Sequence, residues 1–255
     1  RFLGELPVNV QLLTGSTRKA DRVPIHEGLL DGSVHILIGT HALIEEVVQF
    51  NNLGLVVIDE QHRFGVAQRA RLWQKADLLP HVLVMTATPI PRTLAMTLYG
   101  DLDVSVIDEL PPGRKPVITR HSYDSKRLMV FGFLRKQLEQ GRQAYIVYPL
   151  IKESEKMDYK DLEDGYESIS RAFPPPEFQV SVVHGKMKPE EKEISMAHFV
   201  AGRTHIMVAT TVIEVGVDVP NASVMIIESA ERFGLSQLHQ LRGRVGRGAD
   251  QSYCI

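Results

Sequence analysis

Residues 55–62 read Leu55-Val56-Val57-Ile58-Asp59-Glu60-Gln61-His62, four apolar side chains followed by four polar ones. The apolar run predicts a buried strand, whose polar end would lie at the carboxyl edge of a parallel sheet, where ligands bind in α/β proteins. Two adjacent carboxylates suit a site in which Asp59 holds Mg²⁺ through water and Glu60 orients an attacking water. A strand that ends in a polar turn is the alternative, and Gln61 and His62 favour the site over it.

A second polar ending follows the next apolar run. Val82–Thr86 predicts a strand, and Thr86-Ala87-Thr88 closes it with small hydroxyl side chains. If the two strands are neighbours, these hydroxyls can bond the carboxylates of the first strand's end and couple that site to the rest of the domain. An ordinary turn would also explain the tripeptide alone, so its position one strand after Asp59 carries the interpretation.

Apolar runs alternate with helical patterns along the chain, which predicts an α/β fold with right-handed crossovers. Most runs are continuous, as in parallel strands buried on both faces. Helices are predicted at Leu128–Gln140 and, from a proline start and a glycine stop, at Pro189–Ala201. No internal sequence repeat is apparent. The predicted strands are Val8–Leu13, Ile36–Ile38, Gly54–Ile58, Val82–Thr86, Val104–Ile107, Gln143–Tyr148, Gln179–Val183, His205–Ala209 and Val224–Glu228.

A stiff linker divides the chain. Asp108–Pro116 holds three prolines and a glycine in nine residues, which excludes a helix or a central strand. The predicted domains are residues 1–113 and 114–255, in line with about 150 residues per domain. Lys152–Pro176 is polar at first and then carries apolar residues at helical spacing, so a surface helix is predicted there.

The composition is that of a folded protein rather than a disordered or fibrous one. The 255 residues include 44% apolar and 24% charged side chains, and the net charge is −2. No apolar run approaches the ~20 residues of a membrane helix, and residues 1–5 do not resemble a signal peptide. The single cysteine, Cys254, excludes an internal disulfide and favours a reducing, cytosolic setting.

The most unusual segment for its charge is Gln237–Gly248. It contains three arginines and three glycines within seven residues, Arg242-Gly243-Arg244-Val245-Gly246-Arg247-Gly248. Glycines permit close backbone approach and arginines offer planar forks for phosphate, so Arg244 and Arg247 are candidate arginine fingers facing Asp59 and Glu60. A nonspecific nucleic-acid-binding tail is the alternative. Ser236 is the predicted N-cap of a short helix here.

Together these segments resemble the motor core of superfamily-two helicases, over nearly the whole chain. The resemblance implies two RecA-like domains of parallel sheet, the first incomplete at its amino end. The matching segments are Asp59–His62 (motif II), Thr86–Thr88 (motif III), Val208–Pro220 (motif V), Gln240–Arg247 (motif VI), and Ile38–Leu43 and Val183–Met187, which resemble DNA-contacting motifs.

The resemblance narrows to the RecG family of bacterial branched-DNA translocases. It rests on Asp59–Val66, Thr86–Thr97 and Ser105–Arg114. The related Mfd transcription-repair coupling factors share the Arg-Phe-Gly and Pro-Ile-Pro-Arg-Thr segments, but usually lack the Gln-His pair and this linker. An Mfd-like translocase is therefore the first alternative, and a non-catalytic nucleic-acid-binding relic of a helicase is the second.

The family resemblance implies roles for individual residues. Asp59 would hold Mg²⁺ and Glu60 would position water. Gln61 and His62 would be further catalytic residues of motif II, and His62 would couple the nucleotide site to the second domain. The remaining implied roles are nucleotide contacts at Asp218, Gln240, Arg244 and Arg247; coupling at Thr86, Ala87 and Thr88; and DNA contacts at Gly39, Thr40, His41, His184, Gly185, Thr210 and Thr211.

One expected motif is missing. The sequence has no Gly-x-x-x-x-Gly-Lys-[Ser/Thr] stretch, whose backbone donors and lysine hold nucleotide phosphates. That loop is expected upstream of Arg1, and the chain alone is expected not to hydrolyse ATP. The parent protein is expected to use ATP and Mg²⁺, to act as a monomer on branched double-stranded DNA in the bacterial cytoplasm at the nucleoid, and to meet single-stranded DNA-binding protein but no membrane.

Overall fold

The computed structural model describes residues 6–59, 80–87, 103–149, 155–210, 219–248 and 250–255. The chain forms two compact units, Arg1–Pro89 and Ile90–Ile255. The domain boundary predicted at residue 113 stays a prediction, although Asp108–Pro116 is irregular as expected, with a turn closed by a bond from Arg114 N to Pro111 O (3.1 Å).

The first unit contains two pairs of parallel strands. Strand β1 (Val10–Leu13) pairs with β2 (Ile36–Gly39), and β3 (Leu55–Ile58) pairs with β4 (His81–Val84). Helix α1 (Lys19–Asp31) joins β1 to β2 and packs Ile25 and Leu29 against Leu13. The prediction of strands buried on both faces is wrong here. Alternate side chains are exposed, such as Leu12 (61%) and Leu55 (61%), because the packed apolar side chains of the described part lie on one face only.

The second unit contains a six-stranded parallel sheet in the order β5-β10-β9-β6-β8-β7. The central strands are buried on both faces, as their continuous apolar runs predict. The strands are β5 (Ile118–Thr119), β6 (Gln143–Tyr148), β7 (Val180–Val183), β8 (Ile206–Thr210), β9 (Ala222–Ile227) and β10 (Tyr253–Cys254).

Helices cover both faces of this sheet and complete an α/β/α arrangement. On one face, α2 (Arg127–Glu139) and α3 (Glu155–Ala172) cover the residues of one apolar cluster. On the other, α4 (Pro189–Val200) and α5 (Leu235–Arg242) cover a second cluster. The apolar side chains predicted within Lys152–Pro176 form the inner face of α3, where Leu162 and Ile169 are buried.

Three local predictions are wrong. Val104–Ile107 is not a strand: it has no strand partner, and Ile107 is 95% exposed. Ser236 is not an N-cap, because α5 already begins at Leu235 and Gly234 takes that position. The two-residue strands β5, at the edge of the sheet, and β10, beside it, were not predicted, since so short a run carries no periodic signal.

The structure contains an internal repeat of strand and helix positions that the sequence does not show as a sequence repeat. The β1-α1-β2 segment of the first unit recurs as β7-α4-β8 in the second, with each residue number raised by 170. Val10 pairs with Ile36, and Val180 pairs with Ile206. In both copies a histidine Nδ1 accepts the N–H before the first strand at 3.0 Å, from Asn9 to His35 and from Gln179 to His205.

Few side chains are shared by the two copies, which is why the repeat is hard to see in the sequence. The shared residues are Val10/Val180, Gly15/Gly185, Gly32/Gly202, His35/His205, Ile36/Ile206 and Thr40/Thr210. Gly32 and Gly202 both have a positive φ, at 80° and 71°, at the point where the chain leaves the helix. None of the helices in the described ranges is long and apolar enough to span a membrane.

Candidate functional site

The ends of β3 and β4 lie side by side, as the sequence predicts. Ile58 pairs with Val84, and the N–H of Met85 donates to Ile58 O (2.8 Å), so Asp59 and Thr86 follow neighbouring strands at one carboxyl edge. Both side chains are exposed there. An exposed carboxylate at this edge fits water-mediated binding of Mg²⁺.

The carboxyl ends of β1 and β2 carry a second group of predicted residues. Gly39 ends β2, Thr40 and His41 follow it, and both of these side chains are exposed. A Cβ on Gly39 would overlap the carbonyl oxygen of Leu13 and lie 2.8 Å from Leu43 Cδ2. Close packing against β1 therefore explains this glycine without a ligand.

A loop next to these residues escaped the sequence prediction. Residues 14–18 (Thr-Gly-Ser-Thr-Arg) follow β1, and Leu13 is paired with Gly39, so the loop adjoins Thr40 at the same edge. The loop is closed by bonds from Thr14 N to Thr17 Oγ1 (2.9 Å) and from Thr17 N to Thr14 O (3.2 Å). The repeat, whose two copies lie 170 residues apart, is the signal that could have identified this loop, because the loop is the counterpart of His184–Lys188.

The second unit repeats this arrangement with one difference. His184 and Gly185 follow β7, and Thr210 ends the neighbouring β8. Thr210 is only 3% exposed, whereas its counterpart Thr40 is exposed. Burial and the nearby Lys192 and Lys186 lower the pKa of His184. A neutral imidazole here would contact a phosphate by a hydrogen bond rather than as a cation.

The arginine-glycine segment is anchored by its apolar residues. Leu241 and Val245 are buried in the core, and the half-buried Gln240, Arg244 and Arg247 lie around them. Two of the three glycines have structural reasons. Gly246 has φ 82°, and a Cβ on Gly248 would lie 2.6 Å from Pro220 O. The prediction that these glycines admit phosphate is therefore not needed to explain them.

A cleft of about 990 Å³ opens within the second unit at the carboxyl edge of its sheet. Arg127, at the start of α2, binds Glu228 after β9 (3.1 Å) and reaches the Tyr148 hydroxyl at the end of β6 (3.5 Å). Burial raises the pKa of Tyr148 to about 12 and raises that of Glu228, which Arg127 opposes. The ion pair joins three elements at the cleft.

Several predicted residues lie outside the described part of the structure. They are Glu60, Gln61, His62, Thr88, Thr211 and Asp218. Among the residues that the structure does describe, no group of three or more His, Cys, Asp or Glu side chains could hold a metal ion.

Comparison with known proteins decides among the families. Residues 2–97 match the DEAD/DEAH box helicase model, and residues 126–249 match the helicase conserved C-terminal domain. RecG of Synechocystis is 58% identical over 96% of this chain, and RecG of Escherichia coli K12 is 54% identical over all of it. The chain belongs to the RecG family of helicases. It spans 29% and 37% of the length of those two RecG proteins.

A solved structure supports the same family. The structure of RecG bound to a three-way DNA junction is 47% identical, has a TM-score of 0.70, and matches 99% of this chain and 32% of that one. The predicted α/β fold with two RecA-like domains is thereby confirmed. The RecG relatives favour the RecG prediction over the Mfd-like alternative.

Proposed function

We propose that this chain is part of the motor core of an ATP-dependent translocase acting on branched double-stranded DNA in bacterial recombination and repair. The observation that carries the proposal is the repeat: in both units a polar, glycine-containing loop follows one strand, and a threonine (Thr40 or Thr210) lies at the carboxyl end of the neighbouring strand. The RecG relatives, one of them bound to a three-way junction, support the choice of DNA.

The proposed nucleotide contacts are those that the helicase motifs imply. Asp59 would hold Mg²⁺, which would neutralise phosphate charge, and Glu60 would orient the attacking water. Gln61 would complete the catalytic motif, and His62 would relay the nucleotide state together with Thr86, Ala87 and Thr88. Arg244 and Arg247 stabilise charge on the transferred phosphoryl group, and Gln240 and Asp218 join this network. The 255 residues contain no phosphate-binding lysine loop, so turnover requires residues outside this sequence.

DNA would be gripped through its phosphates, which gives binding that is independent of base sequence. The proposed contacts are Gly39, Thr40, His41, His184, Gly185, Thr210 and Thr211, joined by residues 14–18 because of the repeat. The low burial of Thr40 supports a side-chain contact, whereas the buried Thr210 would act through its backbone. We place the protein in the bacterial cytoplasm at the nucleoid, as a monomer that can meet single-stranded DNA-binding protein.

ATP turnover by the intact protein, with and without forked DNA, tests this function. Wild type should be stimulated by the fork, and Arg244→Ala or Arg247→Ala should lower kcat at least about a hundredfold, since arginine fingers contribute about 10³–10⁵. Arg171→Ala is the matched control, because that arginine is 80% exposed and pairs with Glu167 one helical turn away. Unstimulated wild-type turnover, or full activity in both arginine variants, would contradict the proposal.

A further inference from the structure

The side chain of Arg22 lies between the loop after β1 and the turn after β2, at the carboxyl ends of these two strands. Its Nη2 donates to Thr14 O (3.0 Å), its Nε to Thr17 O (3.2 Å), and its Nη1 binds Glu45 (2.8 Å). Glu45 directly follows the short helical turn His41–Ile44. One guanidinium, 19% exposed, therefore ties the loop after β1 to the turn after β2.

The second unit has a similar contact, made from the equivalent helix position to a different carbonyl of the equivalent loop. Lys192 is the counterpart of Arg22 in the repeat, and each is the fourth residue of its helix. The Lys192 ammonium donates to Gly185 O (3.0 Å), in the loop after β7. In both units, a long cationic side chain near the start of a helix thus donates hydrogen bonds to carbonyl oxygens of the preceding loop.

These bonds fix which way the loop's peptide groups point. In a planar trans peptide the C=O and the following N–H point in opposite directions. Drawing the carbonyls of Thr14 and Thr17 toward Arg22 therefore turns the N–H groups of Gly15 and Arg18 away from it. Lys192 does the same for the N–H of Lys186. Outward N–H groups are donors that an anion such as phosphate can accept.

We propose that Arg22 and Lys192 are positioning residues, which hold the loops after β1 and β7 in the shape that presents backbone N–H groups to DNA phosphates. The inference rests on the proposed DNA-binding function of these loops. Arg22 acts through the loop because its three donor nitrogens are already directed at two carbonyls and a carboxylate. The end of α4 is not the anion site, since Glu191 Oε2 already accepts the Lys188 N–H (3.0 Å).

The test measures binding of fluorescent forked DNA by the intact protein at several salt concentrations, without nucleotide. Arg22→Lys keeps the positive charge but loses the branched guanidinium group that reaches both carbonyls. We therefore expect roughly fivefold weaker DNA binding, the effect of about one hydrogen bond. The slope of log Kd against log salt should be unchanged, because neutral N–H groups release no counterions. Lys19→Gln, which removes an exposed charge from the same helix, should bind within about twofold of wild type.

Amide hydrogen exchange supplies a readout without DNA. Residues 14–18 should exchange faster in Arg22→Lys than in wild type, and Lys192→Gln should do the same for residues 184–188, while Lys19→Gln should leave both segments unchanged. Wild-type exchange and affinity in Arg22→Lys would overturn the proposal. A salt slope smaller by about 0.9 in Arg22→Gln would also overturn it, because Arg22 would then bind phosphate directly.

Gly15→Asp separates the two levels of the argument. No atom lies within 4 Å of a Cβ at Gly15, so the carboxylate fits the fold but would repel a phosphate at the loop. If Gly15→Asp weakens DNA binding at least about tenfold while Arg22→Lys does not, positioning fails and the DNA-binding function stands. If neither variant weakens binding, the loop does not bind DNA and the positioning proposal fails with it.

Discussion

At the scale of single residues, the glycines of this chain differ in how much room the fold leaves for a side chain. Gly39 and Gly248 face backbone oxygens too closely for any side chain, so tertiary packing alone requires them. Gly15 meets nothing within 4 Å, so the fold places no such demand on it. A glycine that packing does not require is the better candidate for close approach by a ligand.

Gly39→Ala should destabilise the protein, because its Cβ would overlap Leu13 O and push against Leu43. The expected loss is about 1–3 kcal/mol in the free energy of unfolding, the usual effect of overpacking. Urea unfolding of the intact protein measures it, and Gly15→Ala is the matched control, with an expected change within about 0.5 kcal/mol. Equal stabilities of the two variants would mean that β1 and β2 are not packed as described.

At the scale of elements, helix α3 approaches β6 through a glycine. A Cβ on Gly165 would lie 2.5 Å from the Tyr148 hydroxyl oxygen, so the absence of a side chain lets the ring sit against the helix. Tyr148 in turn lies within reach of Arg127, so the helix, the strand and the ion pair at the cleft form one packed group. The glycine thus fixes how closely α3 covers the sheet.

Gly165→Ala should displace the Tyr148 ring and lower the free energy of unfolding by about 1–3 kcal/mol. Gly132→Ala is the matched control, because Gly132 lies inside α2 with nothing within 4 Å of a Cβ. Alanine has the higher helix propensity, so this control should gain up to about 1 kcal/mol. Denaturant unfolding followed by circular dichroism compares the pair, and a stabilised Gly165→Ala would contradict the close approach.

At the scale of the whole molecule, the Arg127–Glu228 pair joins α2 to the sheet across about a hundred residues of sequence. Because burial raises the pKa of Glu228 above its usual 4.5, the folded state binds more protons than the unfolded state just above pH 4.5. Stability contributed at this site therefore falls as the pH rises through that range. Arg127 opposes the effect by stabilising the carboxylate.

Removing Arg127 should make the pH effect larger. Arg127→Met leaves the Glu228 carboxylate without its cation, so we expect a loss of about 2 kcal/mol at pH 7, below the full value for a buried pair because both side chains are partly exposed. The loss should shrink toward pH 4.5, where Glu228 takes up a proton. Chemical unfolding at both pH values measures it, and a double variant with Glu228→Gln should recover part of the stability. A loss independent of pH would contradict this account.

The class of fold and the family could be predicted from the amino-acid sequence alone. Continuous apolar runs such as Gln143–Tyr148 predict parallel strands buried on both faces, and the polar ends at Asp59 and Thr86 predict a shared sheet edge. These features are local in sequence, because strand periodicity and end chemistry are written in consecutive residues. Each helicase motif is likewise a run of consecutive residues, and the relatives confirm the family that these motifs indicate.

Features that depend on contacts between distant residues became visible in the three-dimensional structure. The repeat between residues 10–40 and 180–210 is defined by matching strand pairs and hydrogen bonds, while only scattered side chains are shared. The bonds from Arg22 to Thr14 and Glu45 likewise depend on which residues lie nearby in space. The same holds for the exposed side chains of β1 to β4. Such contacts are set by chain crossovers and packing, which consecutive residues do not encode, because one sequence pattern is compatible with several neighbours.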